Sequence, residues 1–500
     1  MEQETTTLQQ ETTAESRAAE QQNKRYLRPR EIAAYVLTTT AYRSMASFVD
    51  NSKQFFLMNF WGITGAQFGT ISFFTSIWDA LDDPLSGAIL DRARTRWGRL
   101  RPFLLAPIPL WAITTIAFFV IPWFIPQNYR LAWALGVNIL NSIGLSYANG
   151  SKDILLYNMT PNSAERTSLI TTQKFVELVA AWIPSFIPIA FDFLPKVTGI
   201  RQQSVYGGFA AFFVLVAAAA SLFAFFRIRE RVPLASRETA SGVSLFQSLK
   251  NIAANRPLLA LLLSTFFQDI KGIGGASESF FWLNNTGRLT NGTIAGLFTG
   301  IPNYFLTPIA PKLIRRFGAR NVAIYAGIFG GAMYLTMFLI GYKPFGSMTA
   351  NLVYLTAILT VCGLPNTIMG VCYPVLLGDV YDYLEWKSGV RSEGLVTAVS
   401  GYITKLSKSF IGLMQGMLLA MIHYTPLKDN LGNLVPQTDA KMLLGIFAIF
   451  ALAPSVARFG YGFALILFNV HGGFRDKMLH ELAERRAAQL AEMARKEAEE

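Results

Sequence analysis

The stretch IWDALDDPLSGAILDRARTRWGRLRP, residues 77–102, places Asp79, Asp82 and Asp83 inside an apolar run and follows them with five arginines in ten residues. A charged side chain at the centre of a membrane-spanning helix costs about 2.5 to 3.5 kcal/mol, so three ionised carboxylates cost about 7 to 10 kcal/mol. Asp79 and Asp83 are four residues apart and share one helix face, with Asp82 beside them. The pattern therefore predicts a helix that carries a polar site.

Two interpretations of these acids remain open. Pro84 cannot donate a hydrogen bond to the carbonyl of Ala80, which leaves a free oxygen one turn back on the carboxylate side. Carboxylate oxygens and this carbonyl together predict a site for a small hard cation or a titrating proton. The alternative is that the acids only pair with nearby basic residues, and for Asp82 the two interpretations are equally supported.

The composition is that of a polytopic membrane protein. Of 500 residues, 52% are hydrophobic and 15% are charged, and apolar runs of 20 or more residues recur along the whole length. The formal charge of +12 comes from lysines and arginines in short segments between these runs. Basic segments between membrane spans determine topology. A nucleic-acid-binding protein instead interleaves basic residues with aromatic ones, so no nucleic-acid partner is expected.

The apolar runs predict an all-α membrane protein with twelve transmembrane helices. Basic residues concentrate in the segments between spans 2–3, 6–7, 8–9 and 10–11, which predicts that both termini are cytoplasmic. The predicted spans are 32–61, 64–91, 101–124, 129–160, 166–195, 206–228, 256–283, 292–314, 321–342, 348–380, 392–424 and 440–470.

A short internal repeat favours two six-helix bundles. RWG at 96–98 recurs as RFG at 316–318, each closing a predicted span, and a polar segment separates the halves. The predicted organisation is a disordered cytoplasmic tail (1–30), an N-terminal bundle (31–229), a cytoplasmic linker (230–255), a C-terminal bundle (256–470) and a cytoplasmic amphipathic helix (471–500).

Span 4 carries a second polar group. Asp153 is followed one turn later by Tyr157, and a carboxylate beside an aromatic ring suits a sugar, whose hydroxyls pair with the acid while its apolar face stacks on the phenol. Tyr157 also fits a packing role, and Lys152 fits that of a neutralising partner. Ionisable residues inside spans line an aqueous cavity, and spans 5 and 11 add Lys174, Lys405 and Lys408.

Two stretches carry a resemblance to a known family. Residues 77–102, and GDVYDYLEWKSGVRSEGLVTAVSGYITK at 378–405, resemble signatures of the glycoside-pentoside-hexuronide:cation symporter family, a branch of the major facilitator superfamily. The resemblance implies a secondary active transporter that moves a sugar or glycoside by alternating access, with Na⁺ or H⁺ as the coupling cation and no cofactor.

The resemblance also implies a set of site residues. It implies that Asp79, Asp83, Asp153 and Lys405 bind the cation and that Asp153, Tyr157 and Lys174 bind substrate. The charges beside these residues add Asp82 to the predicted cation site and Lys152 and Asp50 to the predicted substrate site. The family has a threonine and an asparagine where this chain has Gly150 and Asp82, so oxygen donors for sodium differ, and proton coupling or uncoupled exchange stays open. The lysines favour an anionic glycoside such as a uronide or sulfosugar, or else they pair with the acids.

Acids and arginines at the ends of spans 2 and 10 predict a gate. Ion pairs between them would hold the cytoplasmic side closed and break on switching, although arginines anchored at lipid headgroups explain the basic residues equally well. The predicted gating residues are Asp91, Arg92, Arg96, Asp382, Glu385 and Arg391.

Other functional classes fit the sequence less well. No HExxH, GxSxG or GxxxxGK[ST] motif appears and the three histidines are scattered, so neither an enzyme nor an ATP-driven pump is expected. A transporter of lysolipids or other amphiphiles on the same scaffold is the alternative. The expected partners are a small-molecule substrate and membrane lipids, and a monomer is expected, with a metal ion only as transported Na⁺.

Overall fold

The computed structural model describes residues 25–120, 125–160, 162–180, 182–231, 255–388 and 393–499. Some side chains within these ranges, among them those of Asp83, Pro84 and Asp91, lie outside the described part. Most of the predicted tail at 1–30, most of the linker at 230–255, and Arg391 also lie outside it.

The described chain is almost entirely helical. In chain order the helices are α1 (Pro29–Asn59), α2 (Gly65–Arg92), α3 (Arg101–Leu105), α4 (Ile108–Phe119), α5 (Arg130–Met159), α6 (Ser163–Ala180), α7 (Ile187–Thr198), α8 (Gln202–Arg227), α9 (Arg256–Thr286), α10 (Thr290–Leu306), α11 (Ala310–Phe317), α12 (Ala319–Ile340), α13 (Met348–Ser388), α14 (Glu393–Met421), α15 (Ala440–Ile466) and α16 (Gly472–Glu499). Short 3₁₀ turns lie at Gln127–Tyr129 and Pro184–Phe186, and a two-stranded hairpin joins β1 (Leu427–Lys428) to β2 (Leu434–Val435).

Each predicted span coincides with one helix or with two consecutive helices. The segment predicted at 101–124 contains α3 and α4, because the chain turns at 106–107 and Pro107 is the N-cap of the next helix. Within the described residues, seven spans are long and apolar enough to cross a membrane. The chain is thus an integral multi-pass membrane protein, and the count of twelve spans stays a prediction.

Helix boundaries follow from capping chemistry. At the start of α1, Pro29 occupies the first turn and a Glu31 carboxylate oxygen accepts the backbone N–H of Arg28 at 2.9 Å. The Asn255 side chain caps α9 by accepting the N–H of Leu258 at 3.1 Å. These side chains satisfy backbone donors that a helix start otherwise leaves unpaired.

The helices form two compact units. Unit 1 contains α1, α3 to α8, the part of α2 from Phe74 onward, and residues 428–434 of the hairpin. Unit 2 contains residues 64–73 and the helices from α9 to α16. Residues 64–73 thus pack with unit 2, although the chain on either side of them belongs to unit 1. Residues 428–434 pack with unit 1, although the chain on either side of them belongs to unit 2.

Unit 1 has an apolar core at the end where α1 begins and α8 ends. Leu90, Leu104, Leu155 and Ala224 are almost fully buried there and come from four different helices. The close approach of α4 and α5 further along requires a glycine at 144, because a Cβ there would lie 2.8 Å from the Trp111 Cβ. These contacts fix α5, which carries most of the candidate site described below.

The last helix of unit 2 docks against the end of α13. The Arg475 guanidinium forms an ion pair with Asp379 at 2.8 Å, and the Trp386 indole donates to Glu481 at 2.6 Å. Met478 is buried in the same core as residues of α9, α12, α13 and α15. The helix from Gly472 onward is therefore an integral part of unit 2.

Candidate functional site

An exposed polar face on α5 carries the carboxylate and the phenol predicted to bind substrate. The Asp153 side chain is 66% exposed and Tyr157 is 50% exposed, and they lie six and two residues before the end of α5 at Met159. They are four residues apart and thus lie on one face of α5. The Arg166 guanidinium lies over the Tyr157 ring at 5.4 Å from its centroid.

Further charged groups surround this face. Lys152 forms an ion pair with Asp153 at 3.4 Å, and Lys174 on α6 forms one with Glu177 at 3.3 Å. The hydroxyl of Tyr35 on α1 donates to the Lys152 carbonyl at 3.3 Å and lies within electrostatic range of Asp153, Tyr157 and Glu177. Three helices thus converge on what we call the α5 face, defined by Asp153, Tyr157 and Glu177.

A small polar cavity lies elsewhere in unit 1. It has a volume of about 70 Å³ and is lined by side chains of α1, α2, α4 and α5. Carboxylates of Asp50 and Asp79 face it; Asp79 accepts a hydrogen bond from Ser142, and Asp50 pairs with Lys53 at 3.5 Å. Thr75 accepts a hydrogen bond from Asn138 at 2.9 Å on the same wall. The cavity is therefore rich in oxygen atoms, which small hard cations prefer as ligands.

The structure separates two acids that were predicted to share a cation. Asp79 contacts Ser142, which lies eleven residues before Asp153 on α5, a rise of about 16 Å along the helix axis. The predicted set is thus divided between the polar cavity and the α5 face. Lys405 is half-buried on α14 in unit 2, and the side chain of Asp83 lies outside the described residues.

Asp82 is the buried member of the α2 acids. It is 4% exposed, and one of its carboxylate oxygens has no hydrogen-bond partner among the described residues. The Tyr147 hydroxyl on α5 lies within electrostatic range of it. A buried carboxylate oxygen that no hydrogen-bond donor contacts is available to a bound ion, so Asp82 suits the predicted ion-coupling role.

The structure describes the side chains of four of the six predicted gating residues. Arg92 is exposed, Arg96 stacks over Trp97 at 4.3 Å, and Asp382 and Glu385 are half-buried on α13. The side chain of Asp91, and Arg391 as a whole, lie outside the described residues. The proposed role in opening and closing a gate stays a prediction.

The ordered contacts of this basic loop involve residues that sequence analysis did not single out. One Glu230 carboxylate oxygen accepts the backbone N–H groups of Leu100 at 2.8 Å and Arg101 at 2.9 Å, and Arg101 donates from its side chain to the Phe225 carbonyl. Glu31, only 3% exposed, pairs with Arg231 at 2.7 Å. These contacts join the start of α3 and the start of α1 to the segment that follows α8.

Arg43 was also missed. It lies in the middle of α1, its side chain is exposed, and it forms no hydrogen bond or ion pair among the described residues. The signal was present in the sequence, since an arginine in an apolar span with no acid three or four residues away has no local reason to be there.

The available groups favour binding over chemistry. Among the described residues, no three His, Cys, Asp or Glu side chains come close enough together to hold a metal ion at a resident site. The α5 face offers hydrogen-bond acceptors and an aromatic surface, and the cavity offers oxygen ligands. Both are suited to molecules that bind and leave.

The sequence is similar to those of known sugar transporters over most of its length. The sequence model of the family described as MFS/sugar transport protein matches residues 34–472. The chain is 27% identical over 470 residues to the isoprimeverose transporter of Lactiplantibacillus pentosus, with 92% of each chain covered. It is 25% identical over 426 residues to the glucuronide carrier protein homolog of Escherichia coli strain K12, covering 82% of this chain and 84% of that one.

Solved structures show the same fold. The inward-open structure of the xylose transporter XylE from E. coli matches with a TM-score of 0.54 at 14% sequence identity, covering 88% of this chain and 95% of that one. The resemblance drawn from residues 77–102 and 378–405 is thereby confirmed. The chain belongs to the MFS/sugar transport protein family and has the major facilitator fold.

Proposed function

We propose that this protein moves a glycoside across the membrane by cation-coupled symport, with the sugar held at the α5 face and the cation at the acids of α2. The observation that carries the proposal is the exposed pair Asp153 and Tyr157 on one face of a membrane helix. A carboxylate accepts hydrogen bonds from two sugar hydroxyls, and a phenol ring packs against the apolar face of a pyranose. The names of the isoprimeverose and glucuronide relatives support a sugar as the transported molecule.

Coupling is assigned to the polar cavity and to Asp82. The cavity of about 70 Å³ is large enough for a small cation with water, and Asp79 and Asp50 supply charge to hold it. One buried carboxylate oxygen of Asp82 has no hydrogen-bond partner among the described residues, so Asp82 is the second candidate position for the coupling ion. The two candidate positions for the coupling ion thus involve different acids of α2, which makes them separable by mutation.

An amphiphile substrate is less well supported. Unit 2 carries an apolar groove of about 420 Å³ lined by residues of α10 to α13, including Phe317, Tyr325 and Pro365. None of its lining residues is charged, so it offers no partner for a lysolipid headgroup, and surrounding lipid tails account for an apolar groove on a membrane helix bundle.

The direct test is uptake by purified protein in liposomes. The labelled probes are isoprimeverose, methyl β-D-glucoside and methyl β-D-glucuronide, each with an inward Na⁺ gradient, an inward proton gradient or neither. We expect one of them to accumulate, chemically unchanged, when the correct gradient is present. Equilibration without accumulation would indicate uncoupled exchange, and absence of uptake for all three would refute a glycoside substrate.

Variants locate the site. Asp153→Asn should lower the kcat/KM of uptake by about tenfold to a hundredfold, because a charged acceptor contributes about 1.5 to 3 kcal/mol. The matched control is Asp476→Asn, an exposed carboxylate on α16 in unit 2, which should leave uptake unchanged. Equal effects of the two substitutions would exclude a specific role for the α5 face. The expected monomeric state and the cytoplasmic position of both termini stay predictions.

A further inference from the structure

The core of unit 2 contains a fully buried arginine. Arg458 lies on α15, eight residues before the end of that helix at Ile466, and is 1% exposed. The helix is long and apolar enough to cross a membrane. The guanidinium group stays protonated at any physiological pH, so its charge is enclosed together with the side chain. An enclosed charge is costly unless a group of opposite charge lies beside it.

The hydrogen bonds of Arg458 leave several of its donors unused. Its Nη1 donates to Oε1 of Gln268 at 3.1 Å and to Sδ of Met369 at 3.1 Å. Its Nε and Nη2 are buried and have no hydrogen-bond partner among the described residues. The Tyr461 hydroxyl, three residues further along α15, is likewise buried without a described partner and lies within electrostatic range of Arg458. Donors from two side chains therefore lack acceptors in one region of the core.

The groups closest in electrostatic terms do not compensate the charge of Arg458. They are the phenols of Tyr334 and Tyr461 and the thiol of Cys362. Phenols and thiols of this kind are neutral near pH 7. The compensation that the guanidinium requires thus does not come from these neighbours.

The two carboxylates of α9 interact with lysines. Glu278 accepts a hydrogen bond from the Trp282 indole at 3.2 Å and lies within electrostatic range of Lys271. Asp269 lies within electrostatic range of Lys408 on α14. Neither carboxylate accepts a hydrogen bond from a nitrogen of Arg458 in the described structure. Each acid thus lies beside a lysine, and one positive charge is left over at Arg458.

The unused donors and the remaining charge suit a small monovalent anion. A water molecule can accept hydrogen bonds from these donors, but it leaves the positive charge in place. The surroundings are closely packed, since a Cβ at Gly330 would lie 3.2 Å from the Pro365 Cβ and 3.5 Å from the Arg458 Cδ. A monatomic anion needs little room and supplies the one negative charge required, whereas phosphate and sulfate are larger and more highly charged.

We propose that Arg458 and Tyr461 bind a chloride ion in the core of unit 2. The α5 face and the polar cavity belong to unit 1, so this site is independent of the substrate and of the coupling cation. The ion compensates the guanidinium charge and accepts the hydrogen bonds that the protein leaves unmade. The stability of unit 2 therefore depends on chloride.

The test measures the thermal unfolding midpoint of the purified full-length protein in sodium chloride and in sodium gluconate, at equal sodium concentration and without sugar. The proteins compared are the wild type, Arg458→Met, Tyr461→Phe and Arg315→Met. Arg315 is an exposed arginine on α11 of the same unit, so its replacement is the matched control. An ion that binds only the folded protein stabilises it by mass action, so chloride at about 100 times its dissociation constant shifts the unfolding equilibrium about 100-fold.

We expect chloride to raise the midpoint of the wild type and of Arg315→Met, and to leave that of Arg458→Met unchanged. Tyr461→Phe should require about tenfold more chloride for the same rise, because it lacks one donor to a charged acceptor. A wild-type midpoint that is equal in the two salts overturns the proposal, as does an Arg458→Met variant that keeps the full rise. Tyr461→Phe decides the matter if Arg458→Met does not fold, since an unaltered chloride requirement in Tyr461→Phe also contradicts the site.

Discussion

The ion pair between Asp379 and Arg475 holds α16 against α13, and its removal gives a quantitative test of the packing of unit 2. Asp379 is 5% exposed, and its partner approaches from the last helix at 2.8 Å. Arg475→Gln leaves the carboxylate buried without the guanidinium. We expect α16 to detach more often from the end of α13, because detachment returns the carboxylate to water.

The size of the effect follows from the exposure of the two partners. Removing one member of a fully buried pair costs about 3 to 5 kcal/mol. The Arg475 side chain is 38% exposed, so solvent screens its attraction to Asp379 and the expected cost falls to about 2 kcal/mol. This corresponds to an increase of about 30-fold in the population of the detached state.

Cysteine labelling measures that population. Cys372 lies seven residues before Asp379 on the same face of α13 and is fully buried, as is Cys362 ten residues earlier. When opening and closing are fast, the labelling rate of a buried thiol is proportional to the open population. We therefore expect Arg475→Gln to accelerate the labelling of Cys372 more than that of Cys362, which lies farther from α16.

Two control variants complete this test. Lys477→Gln removes a cation from the same helix, but that side chain is 76% exposed, so its labelling rates should equal those of the wild type. Asp379→Asn combined with Arg475→Gln should recover most of the protection, because no buried charge remains. Unchanged labelling in Arg475→Gln, or equal acceleration in Lys477→Gln, would refute the role of the ion pair.

Three further substitutions probe contacts in unit 1. Arg231→Met leaves the buried Glu31 carboxylate unpaired and should cost unit 1 about 3 kcal/mol; a thermal unfolding midpoint equal to that of the wild type would contradict this. Gln202→Ala removes the side-chain oxygen that accepts the Leu434 amide at 2.7 Å, so hydrogen exchange of that amide should accelerate about tenfold, and unaltered exchange would exclude the contact. Glu230→Ala frees backbone amides at the start of α3, and faster tryptic cleavage of the loop at 92–101 is expected; equal cleavage would show that the loop is held in another way.

The fold was largely predictable because membrane helices carry a strong local signal. The span predicted at 206–228 corresponds to α8 at Gln202–Arg227, since about 20 consecutive apolar residues leave little ambiguity. The segment predicted at 166–195 is interrupted between α6 and α7, where Pro184 begins a separate turn. A continuous apolar run does not reveal such breaks, because the hydropathy of a span is insensitive to a single proline.

The candidate site was predictable within one helix but not between helices. Spacing alone placed Asp153 and Tyr157 on one face of α5, because helical periodicity fixes relative position over a single turn. The separation of Asp79 from Asp153 depends on how α2 and α5 align, and the Asp79 contact with Ser142 determines that alignment. No pattern in either helix specifies it, because it results from side-chain packing between the two.

The docked terminal helix imposes an order on the biosynthesis of this chain. Asp379 and Arg475 are 96 residues apart, so the acid leaves the ribosome well before its cation has been made. At about 5 to 20 residues per second the delay is about 5 to 20 s. During that interval the end of α13 carries a carboxylate without its guanidinium partner, and unit 2 can reach its final packing only after the last helix has been synthesised.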